Sequence, residues 1–163
     1  MKMTEAVLLD KVLTVDPGMT TAWAYWEKKR FPYQPLVDSF NTETGAPIEE
    51  QAEELWRSFQ TLIYHHIPEK CYIEGVEVWT KSLRSNVASK TGKLFKLAFI
   101  IGGYCRLCQE RGIEFQIINP SKWKGQLNDK AIKRRVLRVN KNQYRNQHIT
   151  DAVAMGFSIM GIL

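Results

Sequence analysis

Hydrophobic and polar residues alternate in short runs over the first forty positions, and turn residues separate the runs. Val12–Asp16 has the pattern of a buried strand, and the Pro-Gly pair after it predicts a tight turn. Thr20–Trp26 predicts a second strand with apolar residues on both faces. Phe31–Phe40 predicts a third strand, and its prolines favour an edge position because proline cannot donate a ladder hydrogen bond.

A helical periodicity begins after Pro47, a residue that suits the first turn of a helix. The predicted apolar face consists of Ile48, Ala52, Leu55, Trp56, Phe59, Leu62 and Ile63. The predicted solvated face carries the glutamates that complement the helix dipole, which are Glu49, Glu50, Glu53 and Glu54.

The second half of the chain alternates strands with helices. Cys71–Glu74 and Ile113–Asn119 are predicted strands, and the helix Ser85–Glu110 between them indicates a crossover and parallel pairing. A basic helix at Asp129–Val139 and a strongly apolar helix at His148–Leu163 follow. The pattern predicts an α/β fold with a mixed five-stranded sheet, three antiparallel strands and then two parallel ones, flanked by helices.

The crossover helix has two apolar stripes. The first, expected to cover the sheet, consists of Leu94, Leu97, Ala98, Ile101, Cys105 and Cys108. The second consists of Phe95, Phe99, Gly102 and Gly103. Because one sheet face cannot cover both stripes, we expect the second to form a two-fold dimer interface, with an internal core position as the alternative.

Composition indicates one globular domain over residues 1–163. The apolar fraction is 44%, and the chain has neither an apolar run of about 18 residues nor a signal-peptide core at its N-terminus. We therefore expect an intracellular protein that does not span a membrane. Its cysteines, Cys71, Cys105 and Cys108, do not describe a disulfide scaffold and are expected to be small core residues.

The net charge of +6 conceals an uneven distribution. Residues 1–78 carry 7 Lys and Arg against 13 Asp and Glu, whereas residues 79–163 carry 16 against 4. Residues 121–145 alone carry 9 basic residues against 1 acidic residue. A basic surface beside an acidic site suits a polyanion such as nucleic acid, although a solvated basic face would give the same count.

Acidic residues occupy positions where α/β folds collect functional side chains. Asp16 and Glu74 end two predicted strands, and His148 and Asp151 share one face at the start of the last helix. Clustered carboxylates repel one another unless a cation joins them, and hard oxygen ligands favour Mg²⁺ or Mn²⁺. The pattern predicts a divalent-metal site acting on phosphate, in which two ions about 3.5–4 Å apart would activate water and stabilise the leaving oxygen.

Each of these residues also has an ordinary structural explanation. Asp16 precedes Pro-Gly and could simply shape the turn, and Glu74 could be a strand-end surface charge. Asp151 is favourable in the first turn of any helix, and His148 could serve as a metal ligand or as a proton acceptor. The coincidence of all of them with a basic half of the chain favours the metal site.

Segments that include these residues resemble the motifs of the RuvC-type Holliday junction resolvases. Val15–Ala24 resembles the first motif, Tyr72–Val76 the glutamate-bearing strand, and His148–Gly156 the closing helix. The resemblance follows the family's order and spacing over nearly the whole chain. Gly75 departs from it, because bacterial members commonly have Gln after the glutamate.

The resemblance implies a ribonuclease H-like fold, a homodimer, and resolution of four-way DNA junctions by paired symmetric nicks, with two Mg²⁺ or Mn²⁺ ions per site. It assigns catalysis and metal binding to Asp16, Glu74, His148 and Asp151. It also suggests the cytoplasm of a bacterium or of a phage-infected cell. The expected nucleic-acid contacts are Trp79, Lys81, Arg84, Lys122, Lys124, Lys130, Lys133 and Arg134.

Other functions fit parts of the pattern. A nuclease of this type could act on RNA–DNA hybrids or on other branched DNA, and a non-catalytic DNA-binding protein could retain the fold. The segment Asp16–Thr20 also resembles the phosphate loop of actin-like kinases. Those kinases need two such domains, for which 163 residues are too few.

Overall fold

Five strands form one mixed sheet in the computed structural model, which describes residues 9–30, 34–43, 45–77 and 92–163. The strands are β1 (Lys11–Asp16), β2 (Thr20–Glu27), β3 (Leu36–Asn41), β4 (Lys70–Glu74) and β5 (Glu114–Ile118). Their spatial order is β3-β2-β1-β4-β5, with antiparallel pairing from β3 to β1 and parallel pairing from β1 to β5. The predicted sheet is confirmed, including the edge position of β3.

Helices cover both faces of this sheet. They are α1 (Ile48–His66), α2 (Lys93–Glu110), α3 (Pro120–Trp123), α4 (Asp129–Asn140) and α5 (Gln147–Ile159). The apolar sides of α1 and α2 pack on one face of the sheet, and those of α4 and α5 pack on the other. None of the helices in the described ranges is long and apolar enough to span a membrane.

The alternation along β1 divides its side chains between the two apolar cores. Leu13 and Val15 belong to the core beneath α1 and α2. Val12 belongs to the core beneath α5, and the side chain of Thr14 bonds to the backbone of that helix. Because residues two apart on a strand share a face, Asp16 also lies on the α5 side of the sheet.

The crossover helix differs from its prediction at its start. Gly92 has a φ of +72°, in the left-handed region, and α2 begins at the next residue. An unbroken helix from Ser85 is therefore wrong, and residues 85–91 lie outside the described part of the chain. Likewise, the third strand begins at Leu36 rather than at Phe31, and the final helix ends at Ile159 rather than at Leu163.

The two predicted stripes of α2 are only partly correct. Its buried residues are Ile100, Ile101, Tyr104 and Cys108, so the aromatic Tyr104 was missed and Ala98 is exposed instead of buried. Gly103 does not belong to an outer stripe, because a Cβ atom there would come within 1.9 Å of the Trp56 indole of α1. Phe95 and Phe99 are 75% and 48% exposed, as a stripe facing outwards requires.

Other expectations for the two cores are confirmed. The thiols of Cys71 and Cys108 are buried, and burial raises the pKa of Cys71 well above its ordinary value. Cys105 is half-buried. The glutamates of the predicted solvated face of α1 are all exposed.

Candidate active site

Two acidic side chains lie next to each other at the carboxyl ends of the central strands. Val15 of β1 pairs with Ile73 of β4 in parallel register, so the residues that follow, Asp16 and Glu74, are also neighbours. Both follow the side-chain alternation of their strands and point towards α5. Each is only 8% exposed.

The first turn of α5 brings two more side chains to the same place. Asn146 caps the helix, its Oδ1 accepting a hydrogen bond of 2.9 Å from the backbone N–H of His148. His148 Nδ1 lies 2.8 Å from Asp16 Oδ2. Asp151 is 8% exposed, and its Oδ1 accepts a hydrogen bond of 2.8 Å from Gln147 Nε2. The four predicted residues are therefore brought together.

Glu74 and Asp151 hold protons more tightly than ordinary carboxyl groups because their pKa values are raised. Burial raises the pKa of Glu74 to about 9, and the neighbouring Asp16 carboxylate contributes in the same direction. Burial likewise raises the pKa of Asp151 to about 6, against the favourable charge of Lys124. Without a bound cation, negative charge on these two carboxyl groups is therefore unfavourable, because water screens it poorly in this buried place.

The hydrogen bond between His148 and Asp16 fixes the state of the imidazole. A carboxylate can only accept hydrogen bonds, so Nδ1 carries the proton and donates a hydrogen bond to Asp16. This bond raises the pKa of His148, and burial of the ring opposes the shift. In the neutral ring the lone pair is consequently at Nε2.

Lys124 contributes the positive charge that the sequence analysis did not assign to this site. Its Nζ lies 3.8 Å from Glu74 Oε1, and its side chain is 25% exposed. Sequence reasoning placed Lys124 among the nucleic-acid contacts because it belongs to the basic segment. Lys124 is the C-cap residue of the short helix α3. That helix sets its position next to Glu74 at the end of β4.

The side chains have the chemistry of a divalent-metal site but are not closed around one ion. Among the described residues, no group of three His, Cys, Asp or Glu side chains is arranged to hold a metal ion. Asp16 Oδ2 is bonded to His148 and Asp151 Oδ1 to Gln147, so these oxygens have protein partners. The carboxylates and the imidazole fit Mg²⁺ or Mn²⁺ as ligand types, and closing around an ion would require their side chains to rotate.

The remaining predicted nucleic-acid contacts are either exposed or lie outside the described part of the chain. Lys130, Lys133 and Arg134 are exposed on α4, and Lys122 is exposed in α3. Trp79, Lys81 and Arg84 lie outside the described residues.

Comparisons with known proteins give a likeness in structure only. No protein-family model and no curated protein sequence matches the chain. The structure resembles Thermus thermophilus RuvC, with a TM-score of 0.68 and 17% identity over 91% of this chain and 92% of that chain. Its complex with a Holliday junction substrate gives a TM-score of 0.69 and 15% identity, over 93% and 96% of the two chains.

The yeast mitochondrial Holliday junction resolvase is similar as well. Its TM-score is 0.57 at 13% identity, over 93% of this chain and 79% of that chain. At such identities the likeness establishes the fold. The chain thus has the ribonuclease H-like fold of the RuvC-type resolvases, as the motifs implied.

The raised pKa of Glu74 predicts a pH dependence of stability without divalent metal. Since its pKa rises from 4.5 to about 9 on folding, its contribution is complete below pH 4.5 and is lost as the pH rises through about 9. Glu74→Gln removes the charge, so its melting temperature should exceed that of the wild type more at about pH 8 than at about pH 5. Thermal melts with a chelator would measure this difference.

Glu49→Gln is the matched control, because Glu49 is exposed on α1, on the face of the sheet opposite α5. The difference in melting temperature between this variant and the wild type should be the same at both pH values. A Glu74→Gln difference that stays constant between the two pH values would contradict a mainly protonated Glu74.

Proposed function

We propose that this protein is a metal-dependent endonuclease that resolves four-way DNA junctions. The observation that carries the proposal is the meeting of Asp16 and Glu74, on adjacent central strands, with His148 and Asp151 of α5. The fold in which they meet is shared with RuvC, whose structure in complex with a Holliday junction substrate is among the similar ones. Fold likeness alone would not assign an activity, and the acidic site supplies the missing argument.

Asp16, Glu74 and Asp151 would hold Mg²⁺ or Mn²⁺, two ions per site, with His148 as a further ligand or as a proton acceptor. Bound ions of this kind activate a water molecule and neutralise charge on the leaving 3′ oxygen. Asp16 bonds to Nδ1 of His148, and this contact would leave Nε2 available to the reacting groups. Depending on its distance from the water, Nε2 would ligate an ion or accept the proton.

Lys124 would serve the same site as a cation. It lies against Glu74 and reduces the repulsion among the carboxylates. When divalent ions take over that neutralisation, its ammonium group would be available to a phosphate of the substrate. This role combines the predicted nucleic-acid contact with the observed position.

A basic surface beside the site would bind the arms of the junction. Lys130, Lys133 and Arg134 are exposed on α4, which packs against α5 and therefore lies close to the acidic site. Phosphates bound along α4 would hold the DNA in register with the carboxylates. Binding and cleavage would then depend on different residues.

The protein would act as a homodimer. Phe95 and Phe99 expose aromatic surface on α2, and at Gly102 a Cβ atom would meet no other atom within 4 Å. This surface lies on the side of the sheet opposite α5, so pairing would leave the acidic sites open. Two-fold pairing would match the symmetry of a four-way junction and allow one nick from each subunit.

Asp16→Asn should lower cleavage of a labelled four-way junction by about 100-fold or more, because it removes a ligand charge with little change in volume. Junction binding should remain close to that of the wild type. The assay compares the junction with a linear duplex, a replication fork and an RNA–DNA hybrid in Mg²⁺. Preference for the hybrid or the fork would favour the alternative nucleases.

Asp10→Asn provides the matched control, because Asp10 is an exposed carboxylate that precedes the first residue of β1, whereas Asp16 is its last residue. It should cut like the wild type. If the Asp16→Asn protein cut the junction as fast as the wild type, the metal-site hypothesis would be wrong.

Lys133→Gln with Arg134→Gln should weaken junction binding and reduce its salt dependence. Each lost phosphate contact should lower the slope of log K against log salt concentration by about 0.9. Arg57→Gln with Arg106→Gln removes the same charge from exposed positions on α1 and α2. Binding isotherms at several salt concentrations give the slope for each double variant. If the α4 variant and the control variant had equal slopes, α4 would lie away from the DNA.

Phe95→Asp with Phe99→Asp should yield a folded monomer that nicks a cruciform plasmid instead of linearising it, because charge on the exposed stripe opposes pairing. Light scattering measures the assembly, and the plasmid products report paired cutting. Tyr64→Asp, an exposed aromatic of α1, is the control and should remain dimeric. A dimeric double variant that still linearises the plasmid would exclude this interface.

A further inference from the structure

Thr14 is a polar residue without any exposed surface, in the middle of the central strand β1. Its Oγ1 lies 2.8 Å from the carbonyl oxygen of Ala152 in α5 and 3.2 Å from that of Ala24 in β2. It also accepts a hydrogen bond of 3.1 Å from the indole Nε1 of Trp26. Since a hydroxyl has one proton, the shorter contact makes Ala152 its main acceptor.

The bond connects the two elements that carry the acidic site. Thr14 precedes Asp16 by two residues on the same face of β1, and Ala152 directly follows Asp151 on α5. One helical turn further on, the sheet and the helix approach closely again. A Cβ atom at Gly156 would come within 2.3 Å of the Trp26 ring, so only glycine fits there.

Apolar contacts alone do not fix how far a helix slides or rotates on a sheet, because they are not directional. Apolar residues also surround Thr14 on this face, including Val12 on the same strand and Ala24, its partner on β2. A valine would fill a similar volume without requiring hydrogen-bond partners for a buried hydroxyl. The hydroxyl therefore contributes direction rather than burial.

We propose that Thr14 is a positioning residue, which sets the register of α5 on β1 and thereby the separation between Asp16 and Glu74 on the sheet and His148 and Asp151 on the helix. Its importance for catalysis rests on the proposed function. Its importance for ion binding requires only that these four side chains bind the same ions, whatever reaction follows. Thr14 itself touches neither ion nor substrate.

Thr14→Val should lower the affinity of the DNA-free protein for Mn²⁺ by about tenfold, as loss of groups that orient metal ligands commonly does. Isothermal titration with Mn²⁺ measures this affinity without any reaction. In the junction assay kcat should fall while KM for the DNA stays unchanged. Thr14→Ser keeps the hydroxyl and should restore both quantities, although it loses a buried methyl group.

Trp26→Phe is the control for general destabilisation. It removes the indole donor and part of the packing against Gly156 but leaves the bond from Thr14 to Ala152 intact. Its melting temperature should fall, whereas its Mn²⁺ affinity should remain close to that of the wild type. Loss of affinity in proportion to the fall in melting temperature across all variants would overturn the positioning role.

Wild-type Mn²⁺ affinity in a folded Thr14→Val protein would also overturn the inference, and so would a wild type that binds no Mn²⁺. If Thr14→Val does not fold, comparison of Thr14→Ser with Thr14→Ala decides, because only the serine variant retains the hydroxyl. Equal affinities in that pair would refute the inference. A wild type that binds Mn²⁺ without cutting junctions would refute the proposed nuclease. The Mn²⁺ affinities of the Thr14 variants would still test the positioning role.

Discussion

The parallel pairing of β1 with β4 places two buried carboxyl groups side by side, and much of the surrounding structure compensates for that. Asp16 and Glu74 are each only 8% exposed, so water screens little of the repulsion between them. Burial, together with the Asp16 carboxylate beside it, raises the pKa of Glu74 to about 9. Lys124 and His148 each place a positive or potentially positive group against this pair. Such an arrangement would favour a bound cation, as the proposed function requires.

Helix α5 completes the site because it is held on the sheet at several levels. Asn146 caps its first turn, Thr14 bonds to its second, and Gly156 allows its third to lie against Trp26. A hydrogen bond and a close approach likewise join α1 to α2, since Trp56 Nε1 donates to the carbonyl oxygen of Ile100 and its ring lies over Gly103. The two faces of the sheet nevertheless differ in what they present, because one carries the acidic site and the other carries the exposed aromatics of α2.

Local patterns determined most of the fold. The apolar runs Val12–Asp16 and Thr20–Trp26, together with the turn between them, specified the hairpin, because a strand and a tight turn are set by neighbouring residues. The helix between two buried runs specified parallel pairing of β4 and β5, since a crossover connection is right-handed and returns to the same sheet. The carboxylates at the strand ends and at the start of α5 followed from the same reasoning.

What the sequence could not determine depends on residues far apart in the chain. The packing of Gly103 under Trp56 is a consequence of how α2 meets α1, and a periodic pattern cannot show which helix will be its neighbour. Lys124 and Thr14 carry no signal of their own, since one belongs to a basic segment and the other to a buried strand. Only the tertiary structure placed them at the acidic site, because their partners are brought close by the folding of the whole sheet.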